Sequence, residues 1–145
     1  MKKGDTNPIC SQITKEKEVV LIAGGRLGPF KDWVADSLEN DPEYDIRLFF
    51  GAQTRGDLGN TEELRKKSEL SNRFNMVTTL DSSHPEWDGE VGLITDVVRD
   101  YLEPGNVSKC FIYGTDVMVS ETQQTLKKLG IPEEKINHKH FERAY

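Results

Sequence analysis

The sequence predicts an α/β domain: a five-stranded parallel sheet, doubly wound, with helices on both faces. Three observations carry this. Short apolar runs, several of them β-branched, stand where strands buried on both faces would stand. Between them lie stretches whose apolar residues recur at helical spacing. The two kinds of segment alternate without exception. Alternating strands and helices with right-handed crossovers form a Rossmann-like sheet, which binds ligands beyond the carboxyl ends of its strands.

The elements follow in order. Val19-Val20-Leu21-Ile22-Ala23 is a continuous apolar run ended by Gly24-Gly25, and it predicts the first strand. Phe30, Trp33, Val34 and Leu38 lie on one face of a helix that Asp41-Pro42 stops. Ile46 to Phe50 is the second strand, closed by Gly51. Asn60 is placed to cap a short helix from Thr61, with Glu63 as its capping-box partner. Phe74 to Leu80 is the third strand. Ile94, Val97, Val98, Tyr101 and Leu102 make one stripe of a helix over Leu93 to Leu102, stopped by Pro104-Gly105. Cys110 to Tyr113 is the fourth strand, closed by Gly114. Val117 to Leu129 is a helix with Gly130 as its stop and Pro132 just beyond. Ile136 to Phe141 is the fifth strand, polar enough to predict an edge. Residues 1–18 are polar and without period, which predicts a tail or linker, leaving 19–145 as one domain.

Composition excludes several functions. The chain has 145 residues, with 19 Lys plus Arg against 25 Asp plus Glu and a net charge of −6. A nucleic-acid binder or a protein of anionic membrane surfaces would carry the opposite balance. No apolar run approaches the ~18 residues of a bilayer span, and the start has no apolar core of a secretory signal. Two cysteines, Cys10 and Cys110, are too few for a disulfide framework. The expectation is an acidic, cytoplasmic domain.

Two segments could carry chemistry. Ala23-Gly24-Gly25-Arg26-Leu27-Gly28-Pro29-Phe30 runs from the first strand into the first helix. Glycines there let the backbone approach a pyrophosphate, the helix N-terminus favours an anion, and Arg26 adds a cation. A ligand-free tight turn would use the same residues. Tyr113-Gly114-Thr115-Asp116-Val117-Met118 closes the fourth strand and opens a helix, and capping by Thr115 or Asp116 would account for both polar residues.

Together these segments resemble the pyridine-nucleotide-binding domain of the ferredoxin–NADP reductase family, which includes cytochrome b5 reductases and oxygenase reductases. The first segment is similar to the family's Gly-Gly-Thr-Gly-x-x-Pro, with Ala23, Gly25 and Arg26 in place of its first Gly, its Thr and its third Gly. The second is similar to Cys-Gly-Pro-Pro-x-Met, with Tyr113, Thr115 and Asp116 in place of its Cys and two prolines. Phe49 to Leu58, Glu62-Glu63-Leu64, Leu80 to Gly89, Gly92-Leu93-Ile94-Thr95-Asp96 and Leu129-Gly130-Ile131-Pro132 resemble further family segments in the right order.

The resemblance implies an NAD(P)H site and hydride transfer to an FAD on a separate domain or chain, with a redox acceptor protein beyond it. The family's flavin-binding β-barrel and its Arg-x-Tyr-Ser/Thr motif have no counterpart here. The resemblance assigns Gly24, Gly25, Arg26, Leu27, Gly28 and Pro29 to the pyrophosphate and Gly51, Ala52 and Gln53 to the floor beside the ribose. It assigns Asp81 and Ser82 to the adenosine end and Tyr113, Gly114, Thr115, Asp116 and Met118 to the nicotinamide end. Asp81 would repel a 2′-phosphate, which favours NADH over NADPH, with Arg55 as the nearby opposing cation. Tyr113 would stack on the nicotinamide or block its pocket. The departures also motivate a second reading, a module of the same fold that binds no nucleotide and serves protein interaction. A third is a Rossmann-like domain for another phosphate ligand.

Three further features read as structure. His138 and His140 share one face of a predicted strand but have no third metal ligand, so a polar edge strand explains them. Trp33 belongs to a core stripe, and Trp87 packs a loop. Cys110 is a small buried hydrophobe rather than half of a bridge to Cys10.

Overall fold

The computed structural model describes residues 18–40, 44–52, 61–80 and 90–140. Its elements are β1 (Glu18–Gly24), α1 (Phe30–Asn40), β2 (Asp45–Ala52), α2 (Glu62–Leu70), β3 (Phe74–Leu80), β4 (Glu90–Val91), α3 (Ile94–Tyr101), β5 (Val107–Gly114), α4 (Asp116–Lys128) and β6 (Ile136–His140). The six strands form one sheet in the order β4-β3-β2-β1-β5-β6. Every pairing is parallel. The chain moves outward from β1 through β2 and β3 to β4, then crosses to β5 on the other side of β1. The switch point therefore lies between β1 and β5.

Burial explains the strand patterns. β1 has neighbours on both sides, and Val19, Val20, Leu21, Ile22 and Ala23 are all fully buried. Such a strand needs apolar residues on both faces, which produces the unbroken run. Val19, Leu21 and Ala23 face a core built with Phe30 and Val34 of α1 and Leu64 of α2. Val20 and Ile22 face a second core with Val97 and Val98 of α3 and Val119 and Leu126 of α4. The sheet is thus a middle layer between two helical layers, as a doubly wound topology requires.

Several expectations are corrected. The sheet has six strands, because residues 90–91 pair with Thr79 and Leu80. Two residues carry no periodicity, so β4 is held by tertiary bonds instead. Gly92 N–H donates to Leu80 O at 2.7 Å, Thr79 Oγ1 donates to Gly92 O at 2.9 Å, and Tyr101 OH donates to the Glu90 carboxylate. That last bond takes Tyr101 out of the buried stripe; its side chain is exposed, and the carboxylate raises the phenol pKa. Glu18 belongs to β1 rather than to a tail, pairing in register with Asp45 and holding Arg47 at 3.0 Å. Thr61 stands at the cap position of α2 and makes no side-chain cap hydrogen bond. Asn60, Asp41-Pro42, Trp87, Cys10 and Phe141 lie outside the described residues.

Helix ends behave as their residues dictate. At the end of α4, Gly130 has φ +101°, Gly130 N–H donates to Lys127 O and Ile131 N–H to Leu126 O. This is a Schellman motif, and the Ile131 and Leu126 side chains share a core. Lys31 of α1 reaches Glu63 of α2 at 3.1 Å, and that hydrogen bond holds the Glu63 carboxyl below its ordinary value. β6 is an edge strand, as its polar sequence predicts. No described helix is long and apolar enough to cross a membrane.

Candidate functional site

The carboxyl ends of β1, β2 and β5 meet at one edge of the sheet. Side chains alternate along a strand, so the last residues facing the α3/α4 layer are Gly24, Gly51 and Gly114. All three are glycine, for a packing reason. A Cβ on Gly24 would lie 3.1 Å from Met118 Cγ, and one on Gly114 would lie 2.4 Å from Met118 Sδ. A Cβ on Gly51 would lie 3.0 Å from Ile94 Cβ. The bare backbone lets the first turns of α3 and α4 settle onto the sheet edge. Met118 thus joins the two predicted loops, bridging β1 and β5 at the switch point. Sequence reasoning put Ile94 on a helix stripe and gave no signal that it would seat on Gly51.

The first loop is held by different means. Gly25 has φ +80° and Gly28 φ +56°, conformations that favour glycine. Gly25 N–H donates to Gly51 O at 2.8 Å, tying the loop to β2. The Leu27 side chain is buried in the α1/α2 core, and Leu27 O accepts from Phe30 N–H at 3.0 Å. Pro29 O accepts from Trp33 N–H, so Pro29 sits in the first turn of α1. Arg26, Gly25 and Gly28 are the exposed members of the loop. No described atom lies within 4 Å of a Cβ built on Gly25, so that position opens outward.

The second loop opens α4. Thr115 is the cap, its hydroxyl accepting from Met118 N–H at 3.5 Å. Of the two caps the sequence allowed, the geometry uses Thr115. Asp116 is exposed in the first helical turn, where a carboxylate suits the helix dipole. Tyr113 pairs in register with Ala23 of β1 and turns its half-buried ring toward the α1/α2 layer. There it meets Phe30 edge-on, with centroids 6.1 Å apart. Phe30 packs on Trp33 and Trp33 on Phe111, continuing an aromatic row.

The predicted residues therefore divide. Gly24, Gly25, Arg26, Gly28, Pro29, Gly51, Tyr113, Gly114, Thr115, Asp116 and Met118 gather at one edge. Leu27 and Ala52 do so by backbone only, since both side chains are buried in the core. Gln53, Arg55, Asp81 and Ser82 lie outside the described residues. Among the described residues no cluster could hold a metal ion. His138 is exposed on the edge strand. Cys110 is a free, buried thiol whose pKa burial pushes up to about 12.

Comparison with known proteins locates this edge in a family. Residues 21–124 match the family model of the oxidoreductase NAD-binding domain. The chain is 30% identical over 120 residues to the xylene/toluene monooxygenase electron transfer component XylA of Pseudomonas putida, covering 80% of this chain and 34% of that one. It is 26% identical over 136 residues to NADH-cytochrome b5 reductase 3 of Rattus norvegicus, covering 90% of this chain and 44% of that one. The chain thus spans less than half the length of these relatives. The cytochrome b5 reductase domain of Ulva prolifera nitrate reductase has the same fold, with TM-score 0.76 and 23% identity over 87% of this chain and 49% of that one.

Proposed function

The chain belongs to the oxidoreductase NAD-binding domain family, and on that premise we propose that it binds NADH and presents the nicotinamide to a flavin carried by another domain or chain. The observation that carries this reading is the meeting of the two motif-bearing loops at the switch point, joined by Met118. A crevice outside the carboxyl ends of the strands is where such sheets take ligands. The redox chemistry is supplied by the two cofactors, and this chain contributes binding and orientation.

The residues present suit that role unequally. The exposed Asp116 carboxylate disfavours a phosphate beside α4. The pyrophosphate therefore belongs at the first loop, where Gly25 opens outward and Arg26 offers a guanidinium. Thr115 holds the first turn of α4 in place. NADH is preferred over NADPH on the ground of Asp81, whose carboxylate would repel a 2′-phosphate. The relatives' greater length leaves room for a further domain, which the resemblance makes a flavin-bearing partner domain or subunit, with a redox acceptor protein beyond it. The low cysteine count, with Cys110 a free thiol, supports a cytoplasmic setting.

Calorimetric titration of the purified chain with NADH and NADPH tests the reading. Saturable binding, tighter for NADH, is expected. Arg26→Ala should weaken both roughly tenfold, the worth of one charge-assisted hydrogen bond. A folded chain that binds neither nucleotide overturns the reading and leaves the protein-interaction alternative.

A further inference from the structure

We propose that Tyr113 is a positioning residue whose ring holds the loop of residues 25–29 in its nucleotide-binding shape, without touching the nicotinamide. The inference rests on the functional reading above and concerns how the same site is held.

The resemblance puts the family's cysteine at this position, beside the nicotinamide. In this chain the ring points elsewhere. Tyr113 and Phe111 lie on the same face of β5, toward α1. A Cβ built on Gly28 would fall 2.4 Å from Tyr113 Cε2, 2.5 Å from Cζ and 2.7 Å from Cδ2. The ring edge is therefore in direct contact with the Gly28 backbone, at the point where that backbone turns through φ +56°. Phe30, the first residue of α1, holds the ring from the side. The side chain that touches both Gly24 and Gly114 at the switch point is Met118, on the opposite face.

The ring supplies what the loop otherwise lacks. The start of the loop is tied by Gly25 N–H to Gly51 O, and its middle is anchored by the buried Leu27. Gly28 has no side chain of its own to pack, and its left-handed turn comes immediately before α1. The Tyr113 ring fills that gap. A cysteine there would leave a void of about an aromatic ring beneath the turn, and Gly28 would sample other conformations. The loop amides and Arg26 would then have to be ordered by the nucleotide itself, which lowers affinity by the fraction of time the loop is competent.

Two measurements on Tyr113→Phe and Tyr113→Cys test this. The first is amide hydrogen exchange of Gly25 and Phe30, whose N–H groups donate to Gly51 O and Leu27 O at the two ends of the loop, in the ligand-free chain. The second is the affinity for ADP-ribose, which lacks nicotinamide, and for NADH. In Tyr113→Cys, loop exchange should rise about tenfold while the amides of β1 stay protected, and both ligands should weaken by the same factor, about tenfold. Tyr113→Phe keeps the ring and should stay within about twofold of the unaltered chain in both measurements. If Tyr113→Cys does not fold, Tyr113→Leu replaces it, filling volume without the flat edge. A change confined to NADH, with ADP-ribose unaffected, overturns the proposal and puts the ring at the nicotinamide. Unchanged loop exchange in Tyr113→Cys overturns it too, as does a Phe variant that behaves like Cys. If the unaltered chain binds neither ligand, the functional reading falls, and loop exchange alone still decides whether the ring holds the loop.

Discussion

Replacing Gly28 by alanine should destabilise the domain more than replacing Gly25, although the two glycines lie three residues apart in one exposed turn. Both have left-handed backbones, φ +56° and φ +80°. An L-residue in that region costs roughly 1–2 kcal/mol, and this is the whole expected cost at Gly25, where a Cβ meets no described atom within 4 Å. At Gly28 the new Cβ would lie 2.4 Å from the Tyr113 ring. No heavy-atom pair tolerates that distance, so the ring or the loop must move. Overpacking of this kind adds about 1–3 kcal/mol, for a total of about 2–5 kcal/mol. A domain of this size shifts its melting temperature by roughly 4 °C per kcal/mol. Gly25→Ala should therefore melt about 4–8 °C below the unaltered chain, and Gly28→Ala about 8–20 °C below it. Urea unfolding of both, repeated in a Tyr113→Cys background, separates the two costs as a double-mutant cycle. Removing the ring should bring Gly28→Ala down to the cost of Gly25→Ala. Equal stability of the two single variants, or a difference that survives loss of the ring, would refute the reasoning.

Other predictions follow from the two cores and the joints between elements. Thr122 is fully buried in α4, and its hydroxyl has no hydrogen-bond partner among the described residues; Thr122→Val should raise the urea midpoint by about 1 kcal/mol of stability, and a lower midpoint would show that the hydroxyl is satisfied. The Cys110 thiol has its pKa raised from 9.0 to about 12 by burial. A raised pKa means that the unfolded chain ionises first, so this contribution is intact below pH 9 and is lost from there toward pH 12, at about 1.4 kcal/mol per pH unit. Comparing stability against pH for the parent and Cys110→Ala measures it, and identical slopes above pH 9 would contradict the assignment. Arg73 donates to Leu38 O at 2.7 Å and to Tyr44 O at 2.9 Å, joining the end of α1 to the entry of β2. Arg73→Ala should cost about 1–3 kcal/mol by stripping both carbonyls of their donor, and a thermal melt within 1–2 °C of the parent, on the order of the scaling used above, would show that water replaces it.

The sequence alone determined the layered architecture, because that depends on local periodicity. The run Val19 to Ala23 is apolar throughout because β1 is covered on both faces, and the helical stripes are apolar on one side because each helix is covered once. The polar β6 announced an edge for the same reason. Gly130 was readable as a helix stop because its left-handed turn is a local backbone demand. What tertiary structure decided is where non-neighbours meet. β4 exists only because Thr79, Leu80 and Tyr101 bind residues 90–92. The sequence assigned Gly24, Gly51 and Gly114 to three parts of one dinucleotide, and it gave no sign that Met118 and Ile94 seat on their bare backbone at the sheet edge. The direction of the Tyr113 ring, toward Gly28 and Phe30, was equally invisible. It follows from the alternation of side chains along β5 and from the side of the sheet that α1 covers, and a one-dimensional pattern records neither.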